Sequence, residues 1–261
     1  MPVRREADMT IKNVLRAYAN PRYAPAMTRK VLRRALGRAE RPGERSASAE
    51  WCRAHAEDGD EFARNLDPLL WRESWEAGAE IRHLANETLG SLGVSLGGGG
   101  NYPLLYFLTR HLRPRTVVES GVAAGYSSRA FLLAMQANGG GELYSSDLPY
   151  FRLSEPEHYV GVLVDESLRR DWHLYIEGDR RNLPRIRSEV ARVDLLHYDS
   201  DKSYQGREYA LKALAPVLGD DAIVVMDDIQ DNLFFRDYVE RRGCGFRVIS
   251  FEGKFIGVVG I

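Results

Sequence analysis

From Thr116 onward, short apolar runs alternate with segments of helical period, a regularity that few folds accommodate. Thr116-Val117-Val118 is β-branched and without polar alternation, as a strand buried on both faces is. Strands are expected at Thr116–Ser120, Glu142–Asp147, His173–Gly178, Val193–Asp199 and Ala222–Asp228. Helices are expected between and after them at Tyr126–Ala137, Val162–Asp171, Leu183–Val190, Gly206–Leu218 and Asn232–Arg242. Repeated strand-then-helix order implies right-handed crossovers and a parallel sheet covered on both sides. The ending differs: Phe246–Phe251, a Glu-Gly-Lys turn and Phe255–Ile261 predict a hairpin. The expected fold class is α/β, a Rossmann-like doubly wound, mostly parallel sheet of seven strands that ends in an antiparallel hairpin.

Upstream of this core, Asp67-Pro68 supplies a cap and a first-turn proline for a helix running through Leu70, Trp71, Trp75, Ile81, Leu84 and Leu89 to Gly90. Four glycines follow in Leu96-Gly-Gly-Gly-Gly-Asn-Tyr-Pro103, ahead of a helical run Leu104–Leu112. They read as a mobile loop over a site or as a plain linker. Arg41–Ser48 (RPGERSAS) reads as a flexible joint, and Glu50–Glu61 as acidic and weakly patterned. These features divide the chain into a basic helical extension with its linker, 1–65, and a main domain, 66–261.

Charge is uneven along the 261 residues. Residues 1–45 hold 12 Lys/Arg against 4 Asp/Glu, a local net of +8, while the whole chain is at −1. Within the basic part, Ala26–Leu36 places Met27, Val31, Leu32 and Ala35 at roughly helical spacing among Arg29, Lys30, Arg33 and Arg34. Such a helix suits peripheral contact with an anionic membrane surface, or packing on its own domain or a partner copy. A nucleic-acid partner is not expected: the basic residues lie away from the strand ends, with no aromatic platform among them. Cys52 and Cys244 form no metal or disulfide framework, no apolar run reaches membrane-span length, and the N-terminus lacks a signal-peptide core. A reducing cytoplasm is the expected location.

In open α/β sheets ligands bind at the carboxyl ends of the strands, where strand order reverses. The first end supplies Glu119 and then Gly121 and Gly125, a turn that lets backbone approach a ligand before the helix opening at Tyr126-Ser127. The second supplies Asp147, an acceptor at a distance along the chain suited to a ribose diol. The third supplies Gly178-Asp179-Arg180, the fourth Asp199-Ser-Asp201-Lys202-Ser-Tyr204, and the fifth Asp227-Asp228. Any one of these acids could be a helix cap. Three carboxylates on neighbouring strands, Asp199, Asp227 and Asp228, repel unless a cation neutralises them, and all-oxygen ligands favour a hard ion such as Mg²⁺.

The segments ESGVAAGYS, YSSD, EGD, HYDSDKSYQG and VVMDDI, in that order, resemble the class I S-adenosylmethionine-dependent methyltransferases over residues 96–261. The nearer resemblance is to the branch holding macrocin-type sugar O-methyltransferases, the more distant to catechol O-methyltransferase. The resemblance implies S-adenosylmethionine as cofactor, with Glu119, Gly121, Gly125, Tyr126 and Ser127 along its methionine and ribose part. It implies Asp147 on the ribose hydroxyls and Gly178, Asp179 and Arg180 by the adenine. Asp199, Asp227 and Asp228 match the metal acids, and Lys202 falls where the catechol enzymes have their catalytic lysine. Sugar-modifying relatives more often carry histidine there, in DGDHSY against DSDKSY here. The acceptor implied is a small hydroxylated molecule, with a glycosyl group favoured, and a homo-oligomer is implied as well.

The expected chemistry is in-line methyl transfer to a hydroxyl whose pKa a metal lowers, with Lys202, its own pKa depressed by the nearby dication, as base and Asp199 beside it. Lys202 could instead be a salt-bridge partner of Asp201 or another acid. The long segment after the second strand offers Tyr150, Arg152 and His158 to an acceptor, and Gly97–Tyr102 and Asp231-Asn232 are expected around the same space. His197, inside a strand, reads as a core residue. A non-catalytic scaffold anchored by the basic segment is an alternative. A nicotinamide oxidoreductase fits less well, because GVAAG supplies two glycines where that signature has three.

Overall fold

The computed structural model describes residues 2–35 and 43–261, with side chains for 10–29, 32 and 43–261. The expected helix end at Leu36 and the start of the joint, Arg41 and Pro42, lie outside the described residues. Helices are α1 (Pro2–Ala19), α2 (Ala24–Ala35), α3 (Glu44–His55), α4 (Gly59–Leu66), α5 (Pro68–Leu92), α6 (Tyr102–Leu112), α7 (Tyr126–Ala137), α8 (Asp179–Glu189), α9 (Tyr204–Leu214) and α10 (Phe234–Arg242). Strands are β1 (Ala56–Asp58), β2 (Thr116–Ser120), β3 (Glu142–Ser146), β4 (Trp172–Tyr175), β5 (Val193–Tyr198), β6 (Leu218–Met226), β7 (Phe246–Phe251) and β8 (Lys254–Val259).

Among the described residues one eight-stranded sheet forms, in the order β1-β7-β8-β6-β5-β2-β3-β4. Only β8 runs antiparallel, against β6 and β7. The sequence predicts seven strands, and the eighth is β1, which pairs in parallel with β7 through Ala56–Val248 and Asp58–Ser250. Three residues within an acidic stretch carry no strand period, so the addition was invisible in the pattern. The stretch from 44 to 58, expected as joint and extension, is thus a helix and an edge strand of the main sheet.

Alternation along the strands sorts the core onto two faces. Val117, Leu143, Leu195, Val225 and Ile249 pack with Phe62, Trp71, Phe107 and Phe131 from α4, α5, α6 and α7. Val118, Leu196, Val224 and Val248 face the other way, against Cys52, Ile186, Leu211 and Phe235 from α3, α8, α9 and α10. Helix starts follow local capping. Asp67 accepts from the N–H groups of Leu69 and Leu70 ahead of Pro68, Asn101 from that of Leu104, and Ser203 from that of Gly206.

The predicted helix over 162–171 is replaced by turns and a single 3₁₀ segment, Glu166–Asp171. Its backbone is engaged elsewhere: the N–H groups of Gly161 and Leu163 donate to the carbonyls of Ala123 and Ala124 at 2.9 and 3.0 Å. Those bonds fasten the segment to the turn after β2, and tight turns closed by the N–H groups of Val162 and Val164 on the carbonyls of Tyr159 and Gly161 stand where the first helical turn was expected.

Candidate functional site

Strand order runs outward from β2 in both directions, β3-β4 on one side and β5-β6 on the other, so the reversal lies at the β2/β5 boundary. There the Gly121 N–H donates to Ser146 O at 2.8 Å, and the Asp199 N–H donates to Ser120 O at 2.7 Å. Gly121 has φ of 100°. A Cβ at this position would stand 2.4 Å from Asp199 O, so a side chain here would force the loops after β2 and β5 apart. Gly125 then leads into α7 with no side-chain cap, leaving first-turn N–H groups directed at the crevice.

The acids expected along the cofactor behave differently from one another. Glu119 is fully buried, and its two oxygens accept from the hydroxyls of Ser127 (2.5 Å), Ser128 (2.6 Å) and Ser145 (2.7 Å). It ties β2 and β3 to the base of α7 through these hydroxyls. Asp179 accepts from Ser120 (2.8 Å) and Ser146 (2.7 Å) and so ties β2 and β3 to the start of α8. Burial pushes the carboxyls of Glu119 and Asp179 above their usual range. Asp147 accepts from the N–H groups of Ala123 (2.9 Å) and Leu148 (2.7 Å) and keeps further lone pairs beside the Gly121 turn. Burial raises it to about 7. Arg180, expected by the adenine, stacks its guanidinium over the ring of Tyr209 on α9, 3.6 Å from the centroid. Tyr126 packs half-buried against Tyr102, with ring centroids 5.4 Å apart.

On the other side of the reversal, Lys202 joins two of the expected metal acids. Its Nζ lies 2.8 Å from Asp199 Oδ1 and contacts Asp228 Oδ2. Lys254, from the hairpin turn, stands 3.5 Å from Asp228 Oδ1. Asp227 turns toward His197 Nε2, 3.7 Å away, and toward the glycine loop, where a Cβ on Gly100 would meet Asp227 Oδ2 at 2.3 Å. The glycine loop therefore lies packed over the acids. Burial opposes the charge on Lys202, but Asp199 and Asp228 outweigh it and hold its pKa above the usual value. Burial and Asp227 raise Asp199 to about 6, against the pull of Lys202.

As arranged, these carboxylates do not suit the Mg²⁺ expected there. An ammonium lies between Asp199 and Asp228, and among the described residues no group of three His, Cys, Asp or Glu side chains is disposed to hold a metal ion.

Sequence reasoning missed Arg207. Its side chain is almost completely buried, and it donates to the carbonyls of Asp227 and Asp228, both at 2.8 Å. It thereby fixes Asp228 in a left-handed conformation, φ 51°, that a non-glycine residue adopts at a cost. In the sequence Arg207 is one more charge on a helix, and only long-range packing reveals it. Asn232, expected to face the acceptor, is fully buried and donates to Lys202 O at 2.7 Å, while Asp231 pairs with Arg45 on α3 at 3.1 Å.

The segment after β3 carries Tyr150, half-exposed beside Gly97, close enough to both sides of the reversal to feel Asp147, Asp199 and Lys202. His158 points outward and pairs with Glu155 at 3.8 Å. Arg152 is exposed, and its carbonyl accepts from Asn13 at 3.3 Å. That contact belongs to a larger one. Ala17, Tyr23 and Met27 of the N-terminal helices pack on Phe151. Arg22 donates to Glu177 at 2.7 Å, and the Tyr23 hydroxyl donates to Glu157. The packing of α2 on its own domain is the arrangement found for Met27, and it places the hairpin α1–α2 over the ends of β3 and β4.

Residues 118–229 match the family model of a methyltransferase domain. Solved structures similar in fold include the O-methyltransferase TomG from Streptomyces achromogenes, involved in tomaymycin synthesis and solved with S-adenosylmethionine: 19% identity, 70% of this chain and 87% of that one, TM-score 0.52. They also include an O-methyltransferase from Bacillus cereus in complex with S-adenosylhomocysteine, at 15% identity, covering 70% and 90%, TM-score 0.52. A third is a methyltransferase from Geobacter sulfurreducens, at 19% identity, covering 70% and 87%, TM-score 0.51. No curated protein matches the chain.

Proposed function

We propose that the chain is an S-adenosylmethionine-dependent O-methyltransferase that methylates a hydroxyl of a small acceptor. The observation that carries this reading is the pairing of two half-sites across one strand reversal. The Gly121 turn, the open N-terminus of α7 and Asp147 stand on one side, and the Asp199–Lys202–Asp228 cluster stands on the other. The cofactor fits the first half-site, since the start of α7 has no side-chain cap on its N–H groups and Asp147 has acceptor capacity for ribose hydroxyls.

When bound, the sulfonium supplies an electrophilic methyl group. The chain's own part is to hold the acceptor oxygen in line with it and to manage the proton. The Lys202 ammonium donates a hydrogen bond to the acceptor oxygen and steadies the charge developing there, and Asp199 beside it takes the proton. A bound sulfonium would release its methyl group to that oxygen and keep the S–CH₃ electron pair as a thioether. Tyr150 and the Gly97–Gly100 loop enclose the acceptor. A glycosyl acceptor rests on the resemblance of DSDKSY and its neighbours alone. A panel of glycosides and catechols, scored for methyl transfer, decides it.

Calorimetric titration with S-adenosylhomocysteine tests the core of the proposal. Binding in the micromolar range is expected, lost in Gly121→Val. Absence of binding at millimolar ligand would reject the reading.

A further inference from the structure

The three acids that match a metal motif each have a basic partner supplied by this chain. Lys202 Nζ reaches both Asp199 (2.8 Å) and Asp228, Lys254 Nζ stands 3.5 Å from the far oxygen of Asp228, and His197 lies 3.7 Å from Asp227. Two ammonium groups therefore face two carboxylates, Asp199 and Asp228, and an imidazole faces the third, Asp227. A dication entering between Asp199 and Asp228 would meet an ammonium already in contact with both, and like charges at such separations repel strongly in a half-buried site. Asp227 is further committed by Gly100, whose backbone packs on its second oxygen.

We propose that Lys202 is the resident cation of this site: its ammonium occupies the position between Asp199 and Asp228 that a divalent ion would need, and the protein works without one. An ammonium carries three N–H donors. One is directed at Asp228, Asp199 is held as an ion pair, and the Lys202 side chain is 35% exposed, so an acceptor oxygen in the crevice can reach a remaining N–H. Arg207 holds the Asp227-Asp228 turn from below through the backbone carbonyls, leaving the carboxylate of Asp228 to the lysines. The catalytic role rests on the transferase reading above. The exclusion of metal does not.

Removing the Lys202 charge should convert the cluster into a metal site, because the acids would then lack their counter-ion. The test is Mn²⁺ binding, followed by electron paramagnetic resonance on the full chain, for the unaltered protein and for Lys202→Met. The unaltered protein should bind no Mn²⁺ up to millimolar concentration. Lys202→Met should bind one ion at least about a hundredfold more tightly, as expected for loss of a unit charge within contact distance, and Lys202→Met/Asp228→Asn should lose it again. Tight Mn²⁺ binding by the unaltered protein, abolished by Asp228→Asn, overturns the proposal and needs no lysine variant to fold. S-adenosylhomocysteine titration of the same samples separates the two readings: lost cofactor binding with Mn²⁺ still excluded rejects the transferase and spares the built-in cation.

Discussion

At the scale of single residues, the same side-chain type has three fates in one crevice. Glu119, Asp147 and Asp199 all end or follow strands, yet three serine hydroxyls close off Glu119, two backbone N–H groups leave Asp147 with spare acceptors, and Asp199 meets a lysine. Asp147 gives a test with a definite sign. Burial raises its carboxyl to about 7 in the folded state, above the unfolded value. The stability linked to it is therefore present in full below the unfolded pKa and is lost as pH rises through about 7. Asp147→Asn removes that loss. The ligand-free variant should be more stable than the parent at pH 8, with the gain about 1–2 kcal/mol larger than at pH 5, while its affinity for S-adenosylhomocysteine falls. Denaturant titration at the two pH values checks it, and a gain independent of pH would mean that Asp147 does not bury its charge. The serines around Glu119 were legible only as strand and helix residues. Trp172 donating to Ser145 at 2.9 Å shows how far that network extends.

Among the elements, the hairpin α1–α2 carries the consequence that its sequence conceals. Its composition allows membrane contact or packing on its own domain, and its described residues pack: Tyr23 is buried, its ring 4.8 Å from that of Phe151, and Arg22 bridges Glu157 and Glu177. A methyl placed on Gly178 would lie 3.7 Å from Ala26 Cβ, so α2 walls the end of β4 directly. A bound cofactor would leave past this wall. Weakening the latch by Arg22→Ala with Tyr23→Phe should speed release of S-adenosylhomocysteine by about five- to tenfold, the worth of one or two partly exposed charge-assisted hydrogen bonds. Stopped-flow fluorescence measures the rate, and an unchanged rate would show that the hairpin is not on the exit path. Charge pattern could not reveal this, because the partners Glu157 and Glu177 lie more than a hundred residues away.

For the molecule as a whole, elements ahead of residue 66 join the main sheet and its helical cover. Ser48 of α3 donates to the carbonyls of Ile229 and Asn232 at 3.0 and 2.8 Å, and β1 covers the edge of β7. A chain lacking 1–65 should lose the α3 packing and expose an apolar sheet edge, whereas one lacking 1–35 should keep its circular dichroism and stay monodisperse on a sizing column. Equal behaviour of the two truncations would mean that α3 and β1 are dispensable. What the chain determined by itself is the alternation from Thr116 to Arg242, save between β3 and β4, the closing hairpin and the glycine turn at Gly121. Periodicity, capping and left-handed backbone are local properties, set by neighbours within a few residues. Only the tertiary structure decided which acids face a ligand, that Arg207 lies beneath the Asp227-Asp228 turn, and that a lysine rather than open space separates Asp199 from Asp228. Each of those depends on charges and hydrogen bonds between residues distant along the chain, whose meeting no local pattern encodes.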